Sequence, residues 1–261
     1  MSSSEARRVV VVTGANEGIG YHVMLSLLES GYRVAGLDVN GENLRPLQET
    51  NANRARYYEC DVTSDDDVES AIDAVRDQWG KIDVLVNNAA IFDFDLFEDQ
   101  TIADTRREFE VNYFGYVRTI RAVLPHMKAR GEGIIHNVSS GVGLVGHPGL
   151  SGYASTKGAV EALTRSLRLE LQNENVSCTL MHPPATNTRS AAELDYPAFA
   201  VSDPEDVGRK LADKIESTGP VVTADWQTKI GLSLVRRIPY LVKKGTERFV
   251  DEGERATEQS N

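Results

Sequence analysis

Val9-Val-Val-Val-Thr13 runs directly into Gly14-Ala-Asn-Glu-Gly18-Ile-Gly20, and a helical pattern over 21–30 follows, ending at Gly31. A continuous β-branched run suits a parallel strand whose two faces are both covered. Glycines in the turn between such a strand and a helix let the backbone approach a pyrophosphate, and the helix N-terminus favours the phosphate charge. The spacing is G-x-x-x-G-x-G, which alone fits a tight turn as well as a phosphate cradle. Its place between strand and helix points to a dinucleotide held by Gly14, Asn16, Glu17, Gly18, Ile19 and Gly20.

The next strand, over 33–39, carries Asp38, which lies 18 residues beyond Gly20. An acid about 20 residues past the glycines is placed to accept hydrogen bonds from adenosine ribose hydroxyls. Its carboxylate would repel the extra phosphate of NADP, and Glu17 adds a second negative charge in the turn. Both features predict NAD(H) in preference to NADP; the plainer alternative for Asp38 is a strand-end cap. A third strand over 56–60 leads to Asp61 and Val62, at the strand end where open α/β sheets bind ligands, so an adenine contact is expected. Ser64 with Asp67 reads as a capping box that opens a helix to Trp79. A fourth strand over 82–86 closes in Asn87-Asn88-Ala89-Ala90, small enough for a cofactor to pass close.

A long helical pattern over 104–128, with a break expected at Pro125, carries Asn112 among Phe109, Val111, Phe114 and Val117. A buried amide must be partnered, so Asn112 is a structural network residue or part of the site. A fifth strand over 133–138 ends in Ser139-Ser140-Gly141, where one hydroxyl can bond a substrate oxygen. The following helix, over 151–171, presents Tyr153 and Lys157 four residues apart on one face. A phenol titrates near ~10, and a neighbouring ammonium is expected to lower that value. Such a pair suits general acid–base work on an alcohol or carbonyl oxygen. A sixth strand over 176–181 leads to His182-Pro183-Pro184-Ala-Thr186-Asn-Thr188. The loop 189–202, with Tyr196 and Phe199, is long enough to act as a substrate lid. A helix over 202–217 and a strand at 221–222 complete the pattern.

Strands alternating with helices predict one α/β domain, a doubly wound parallel sheet of about seven strands flanked by helices. The 261 residues are 41% hydrophobic, enough for a full core, and the net charge of −11 disfavours a nucleic-acid surface. Two cysteines, Cys60 and Cys178, make no disulfide framework and fit a reducing, cytoplasmic setting as small buried side chains. No apolar run reaches the ~18 residues of a membrane span, and residues 1–8 lack the apolar core of a signal peptide. The five histidines have no metal-ligand spacing, and Asp93, Asp95 and Glu98 alternate with Phe92, Phe94 and Phe97 as a lip does, so no metal is expected. Residues 226–250 read as a C-terminal helical extension, kinked or broken at Pro239, that packs on the domain or on a neighbouring subunit, covers the pocket or lies on a membrane surface. The polar tail 251–261 reads as disordered.

Thr13-Gly-Ala-Asn-Glu-Gly-Ile-Gly20, Asp61-Val62, Asn87-Asn-Ala-Ala90, Asn112, Ser140, Tyr153-x-x-x-Lys157 and Pro183…Thr188 stand in one order over residues 7–222. In that order they resemble the short-chain dehydrogenase/reductase family, which has a Rossmann-type fold. The resemblance selects Ser140 over Ser139, because the family's serine precedes its tyrosine by thirteen positions. It implies Tyr153 as the proton exchanger and Ser140 as the group that holds the substrate oxygen. It further implies Lys157 on the nicotinamide ribose, and Asn112 anchoring a water that relays protons to Lys157. Val62, Asn88, Ala89, Pro183, Thr186 and Thr188 would join the cofactor site, and association as a dimer or tetramer through the helices 104–128 and 151–171 is implied. Pro184 departs from the family's usual glycine, and Pro183–Thr188 is similar to 3-ketosphinganine reductases, which use NADPH on a lipid ketone. The expected reaction is NAD(H)-linked interconversion of an apolar secondary alcohol and ketone, in a pocket of Phe92, Phe94, Leu144, His147, Tyr196 and Phe199. The rival readings are a membrane-surface lipid-ketone reductase using NADPH, and an NAD(H)-binding regulator without turnover.

Overall fold

All five residues of β1 (Val9–Thr13) are buried, because the strand has a parallel neighbour on each side and a core above and below. Its neighbours are β2 (Arg33–Asp38) and β4 (Val84–Asn87). Val10 and Val12 point into one core with Val23, Met24 and Leu27 of α1 (Gly18–Glu29) and with Val207 and Leu211 of α8 (Pro204–Ala212). Val9 and Val11 point into the other, with Val68, Ile72 and Val75 of α3 (Asp65–Trp79) and Ile120, Val123 and Met127 of α5 (Gly115–Arg130). This two-sided burial explains a run of valines without polar alternation.

The computed structural model describes residues 8–188 and 201–237. Its seven parallel strands stand in the order β3-β2-β1-β4-β5-β6-β7, the strands not yet placed being β3 (Ala55–Glu59), β5 (Gly133–Val138), β6 (Val176–His182) and β7 (Val221–Thr223). The chain winds outward from β1 to β3 and then crosses back to β4. The carbonyl ends of β1 and β4 therefore form a topological switch point, where a crevice opens. The doubly wound sheet is as expected from the sequence.

Several local expectations are corrected. Pro125 does not break its helix. It lies inside α5 on an exposed position, so the carbonyl it deprives of a partner faces water. The interruption comes earlier, as a π-helical turn at Glu110–Phe114 between α4 (Ile102–Phe109) and α5. At the start of α3 the Ser64 hydroxyl caps Asp67 N at 3.2 Å, but the Asp67 carboxylate turns to Asp61 N at 3.1 Å, so the box is half formed. The complete box belongs to Thr101 and Asp104 at the start of α4. Two short helices, α2 (Leu44–Thr50) and α6 (Val142–Val145), were not foreseen.

Polar rungs bind the two long helices to the sheet. Thr119 of α5 donates to Asn87 Oδ1 (2.6 Å), Asn87 Nδ2 donates to Asn137 Oδ1 (2.9 Å), and Asn137 Nδ2 donates to Thr164 Oγ1 (2.9 Å) of α7 (Ser151–Glu170). Cys60 and Cys178 are both free and buried, and burial pushes each thiol up to about 12. No helix among the described residues is long and apolar enough to cross a membrane. Of the C-terminal extension, α9 (Trp226–Arg237) is described. Residues 238–250, the tail 251–261, and loop residues 189–200 with Tyr196 and Phe199 lie outside the described residues.

His136 of β5 is fully buried, with Nε2 2.8 Å from Ile215 O and Nδ1 2.5 Å from Thr179 Oγ1. The carbonyl can only accept, so the proton sits on Nε2 and Nδ1 accepts from the threonine. Burial lowers this imidazole from 6.5 to about 4. The unfolded chain therefore takes up a proton that the fold refuses. The associated stability is complete above ~6.5 and is lost as pH falls toward ~4, amounting to at most about 3 kcal/mol. Denaturant midpoints at pH 7.5 and 5 should show the loss, and His136→Gln should flatten that slope. An equally steep slope in the variant would assign it to other groups.

Candidate active site

The crevice at the switch point is a cleft of about 840 Å³. At one end the glycine turn is pressed against the end of β4. Gly14 has φ +62°, and a Cβ there would stand 2.7 Å from Ala89 Cα. A Cβ on Gly20 would stand 2.2 Å from the Gly14 carbonyl oxygen and 2.5 Å from Asn88 Nδ2. Gly20 thus packs the helix onto the turn and is not itself part of the cleft wall. Thr13 Oγ1 accepts from the backbone N–H groups of Asn88 and Ala89 at 3.0 Å each, and Asn88 Nδ2 donates to the Thr13 and Gly14 carbonyls at 3.0 and 2.9 Å.

Gly14, Asn16, Glu17, Gly18 and Ile19 line the cleft, with Asp38, Asp61, Val62, Asn88 and Ala89. The Asp38 carboxylate, half-buried at the end of β2, accepts from Asn16 N and Asn40 N at 3.0 Å each. Asn16 is itself structural through its side chain, whose Oδ1 accepts from Asn43 N at 2.9 Å. Asp61 Oδ1 accepts from both Thr63 N and Thr63 Oγ1 at 2.8 Å, so that carboxylate is committed to its own turn. The N-cap of α1, Glu17, makes no side-chain cap hydrogen bond. A helix N-terminus left without a side-chain cap at a glycine turn fits an anionic pyrophosphate. The carboxylate of Asp38 suits a neutral, hydroxyl-bearing ribose. The residues present therefore fit a nicotinamide dinucleotide.

At the other end lie Ser140, following β5, and Tyr153 and Lys157 in the first turns of α7. The Phe92 ring stands 5.2 Å from the Tyr153 ring. Burial pushes Tyr153 up to about 12; the nearby Ser140 hydroxyl opposes this, and the Glu108 charge adds to it. Lys157 is 1% exposed, and its Nζ donates to Val138 O at 3.0 Å and to Tyr116 OH at 3.2 Å. Burial lowers it from 10.5 to about 7. The expectation that the ammonium lowers the phenol does not hold in this arrangement. Nζ sits 5.5 Å from the Tyr153 ring centre and donates to Tyr116 OH, and burial is the largest influence on the phenol. Asn112 is fully buried and off the cleft. Its Oδ1 accepts from Ile91 N, and its Nδ2 donates to Ile91 O, both at 2.8 Å, and to Thr156 Oγ1 at 3.2 Å. Its side chain brackets the backbone beside the cleft and does not reach Lys157.

Pro183, Thr186 and Thr188 line the cleft beside Pro184. Thr186 Oγ1 donates to Pro184 O at 2.8 Å, and Ser202 N donates to Ala185 O at 2.8 Å, which closes the stem of the 189–202 loop. Of the expected substrate pocket, Phe92 and His147 line the cleft, whereas Phe94 and Leu144 do not. Phe94 covers Gly149 and remains 42% exposed. On α6 the inward positions are Val142 and Val145, three apart. Sequence reading did not name Ile91 or Leu150; the C-terminal extension does reach the cleft, as one of its expected placements had it, through Thr228, Gly231 and Leu232 of α9. The spacing of three and four in that last trio is the signal that could have named them. Among the described residues no group of three or more His, Cys, Asp or Glu is arranged to hold a metal ion.

Residues 8–197 match the family model described as short chain dehydrogenase. The chain belongs to the short-chain dehydrogenase family. A 2-(R)-hydroxypropyl-CoM dehydrogenase from Xanthobacter autotrophicus is 36% identical over 198 residues, covering 73% of this chain and 79% of that one. A 3-alpha-(or 20-beta)-hydroxysteroid dehydrogenase from Mycobacterium tuberculosis is 34% identical, covering 72% of each. Among solved structures, a 3-ketoacyl-(acyl-carrier-protein) reductase from Brucella melitensis complexed with NADH superposes with TM-score 0.76 at 26% identity, covering 83% of this chain and 96% of that one. ElxO with NADP bound gives 0.75 at 26% identity, covering 84% and 97%. As a short-chain dehydrogenase the protein is an oxidoreductase of the CH–OH/C=O couple that works with a nicotinamide cofactor. The reading as a regulator without turnover falls with that assignment.

Gly14→Ala in this dehydrogenase forces a side chain onto a left-handed residue and into the Ala89 backbone. The expected cost is about 2–3 kcal/mol of stability, with NADH affinity down at least tenfold by fluorescence titration. Near-native affinity would mean that the turn tolerates a shift away from β4.

Proposed function

We propose that the protein transfers hydride between NAD(H) and an apolar secondary alcohol or ketone, with Tyr153 as the acid and base. The observation that carries this reading is that Ser140, Tyr153 and Lys157 line the cleft together where its dinucleotide end meets its apolar end. The bound nicotinamide supplies the hydride for reduction or accepts it in oxidation. As negative charge develops on the substrate oxygen, Tyr153 gives it a proton and Ser140 donates a hydrogen bond. Stabilisation of such an oxyanion by fixed donors is worth several kcal/mol. A phenol held near 12 stays protonated at neutral pH and suits the donor role in reduction. Lys157, close behind, favours the phenolate left after transfer. Asn112 acts through its side chain by holding Ile91, and Phe92 by packing against the Tyr153 ring.

Ile91, Phe92, Val142, Val145, Leu150 and Leu232 give the substrate end its apolar character. Relatives are named as dehydrogenases of 2-(R)-hydroxypropyl-CoM and of a 3-alpha-(or 20-beta)-hydroxysteroid, both hydroxyl-bearing, which supports an alcohol here. The preference for NAD rests on Asp38, with Glu17 beside it. Paired copies associating through α4–α5 and α7, which expose Phe114 at the end of the intervening π-turn and Leu169, would follow the family pattern; light scattering on the purified chain tests this.

A second reading is a lipid-ketone reductase that works with NADPH at a membrane surface. It is favoured by α9, which lends Thr228, Gly231 and Leu232 to the cleft while Trp226, Ile230 and Leu234 stay 67%, 49% and 53% exposed. Tighter binding of NADPH than NADH would favour it.

Tyr153→Phe is expected to lower turnover at least a thousandfold and leave NADH affinity within about threefold, since one proton-transfer group is lost and the ring stays. Activity within tenfold of the parent would rule out the mechanism. Asp38→Ala should narrow the NADH-over-NADPH affinity ratio by tenfold or more, by removing one unscreened carboxylate at the ribose. An unchanged ratio would place the ribose contact elsewhere.

A further inference from the structure

Tyr116 of α5 is the largest of the fully buried side chains, and the reaction above makes no use of it. Its surroundings are apolar: Val160 and Leu180, with Tyr113 and Val221 at the edge. Into this pocket it carries one hydroxyl, which donates to Val138 O at 3.2 Å and accepts from Lys157 Nζ at 3.2 Å. The Lys157 amine lies 5.1 Å from the centre of the Tyr116 ring, close enough for the ring face to favour a cation. A buried ammonium needs acceptors for its three N–H groups. Val138 O and Tyr116 OH take two. Asn112, the residue expected to serve Lys157 through a water, has given its side-chain amide to Ile91 and Thr156.

We propose that Tyr116 is a positioning residue for the reaction: its hydroxyl holds the Lys157 amine against the end of β5 and keeps it charged, which leaves the third N–H for the cleft. The proposal rests on the reading of Tyr153 and Lys157 as the proton-transfer pair. Among the described residues, the titratable groups facing Lys157 are Tyr116 from α5 and Tyr153 from its own helix. From β5 it receives the Val138 carbonyl, and from α6 the backbone of Gly143 packs on its main chain. Glu108 of α4 acts on Tyr153.

Burial has already lowered the lysine to about 7, so its charge at neutral pH depends on the acceptors that remain. The Tyr116 hydroxyl accepts from the charged form and supports it. Removing that oxygen lowers the amine further, and chemistry that needs the ammonium should be lost at a lower pH.

The test is Tyr116→Phe, which keeps the ring and removes the oxygen. In protein carrying [ε-13C]lysine, the Lys157 signal is assigned by its absence from Lys157→Arg and titrated by NMR. Its midpoint should fall by about one pH unit in Tyr116→Phe. With any ketone that the wild type reduces, kcat at neutral pH should fall about five- to tenfold, with the ketone KM within about twofold and the alkaline limb of the kcat profile shifted down equally. An unchanged titration midpoint overturns the proposal, whatever happens to kcat. If Tyr116→Phe does not fold, the crystal structure of the wild type with NADH decides: Tyr116 OH beyond hydrogen-bonding distance of Lys157 Nζ overturns it, and retention of the bond supports it. The titration needs no turnover, so failure of the Tyr153 mechanism, read from Tyr153→Phe, remains a separate result.

Discussion

The joint between the carbonyl ends of β1 and β4 sets the geometry of everything around it. Both strands end in the interior, where a peptide group without a partner costs about 1–3 kcal/mol. Thr13 and Asn88 answer this with four hydrogen bonds, the threonine hydroxyl accepting two and the asparagine amide donating two. The same bonds fix the glycine turn, because Gly20 has to pass against Asn88 Nδ2 and the Gly14 carbonyl. The direction of α1, and with it the aim of its uncapped N-terminus, follows from that contact. Satisfying backbone groups and shaping an anion site are here one arrangement.

A second chain of contacts carries this geometry to the reacting groups. The segment after β4 continues through Ala89 and Ala90 to Ile91, whose N–H and carbonyl are both held by Asn112. The same amide reaches Thr156, one residue before Lys157. The π-turn at Glu110–Phe114 lies where this inward-facing asparagine sits. Below it, Thr119 and Thr164 tie α5 and α7 to the central strands through Asn87 and Asn137. The two long helices are thus registered to the sheet by polar contacts whose direction is fixed, where apolar packing alone would allow sliding.

The sheet and most of the cleft were legible because their signals are local. A buried parallel strand needs an apolar run, a close turn needs glycine, and a helical pair needs a spacing of four; each is a statement about neighbours in sequence. What escaped is what depends on distant partners. Pro125 looked like a break because exposure of its helix face cannot be read from the proline itself. Leu144 looked like a pocket residue because the rotation of the short helix α6 decides between it and Val142, and four residues carry no periodicity. Tyr116 was invisible as a partner of Lys157, since one aromatic on a helix reads as core until the strand end beside it is known. The lowered phenol expected from Y-x-x-x-K failed for a related reason. Spacing brings the lysine near, but burial and the Tyr116 hydroxyl decide where its charge goes.

Two groups with opposite charge preferences share that wall. Burial disfavours the phenolate of Tyr153 and the ammonium of Lys157 together, holding one near 12 and the other near 7. Yet each charged form would stabilise the other. At the 5.5 Å between the amine and the ring centre, an effective dielectric of ~20 gives an attraction of at most about 3 kcal/mol, or about two pKa units. That attraction exists only while the lysine is charged, so a phenolate at Tyr153 is favoured most where the amine retains its proton. The charge of each therefore bears on the other. An acceptor that supports the ammonium acts on the phenol through it, so the Tyr116 hydroxyl and the Val138 carbonyl bear on Tyr153 by way of Lys157.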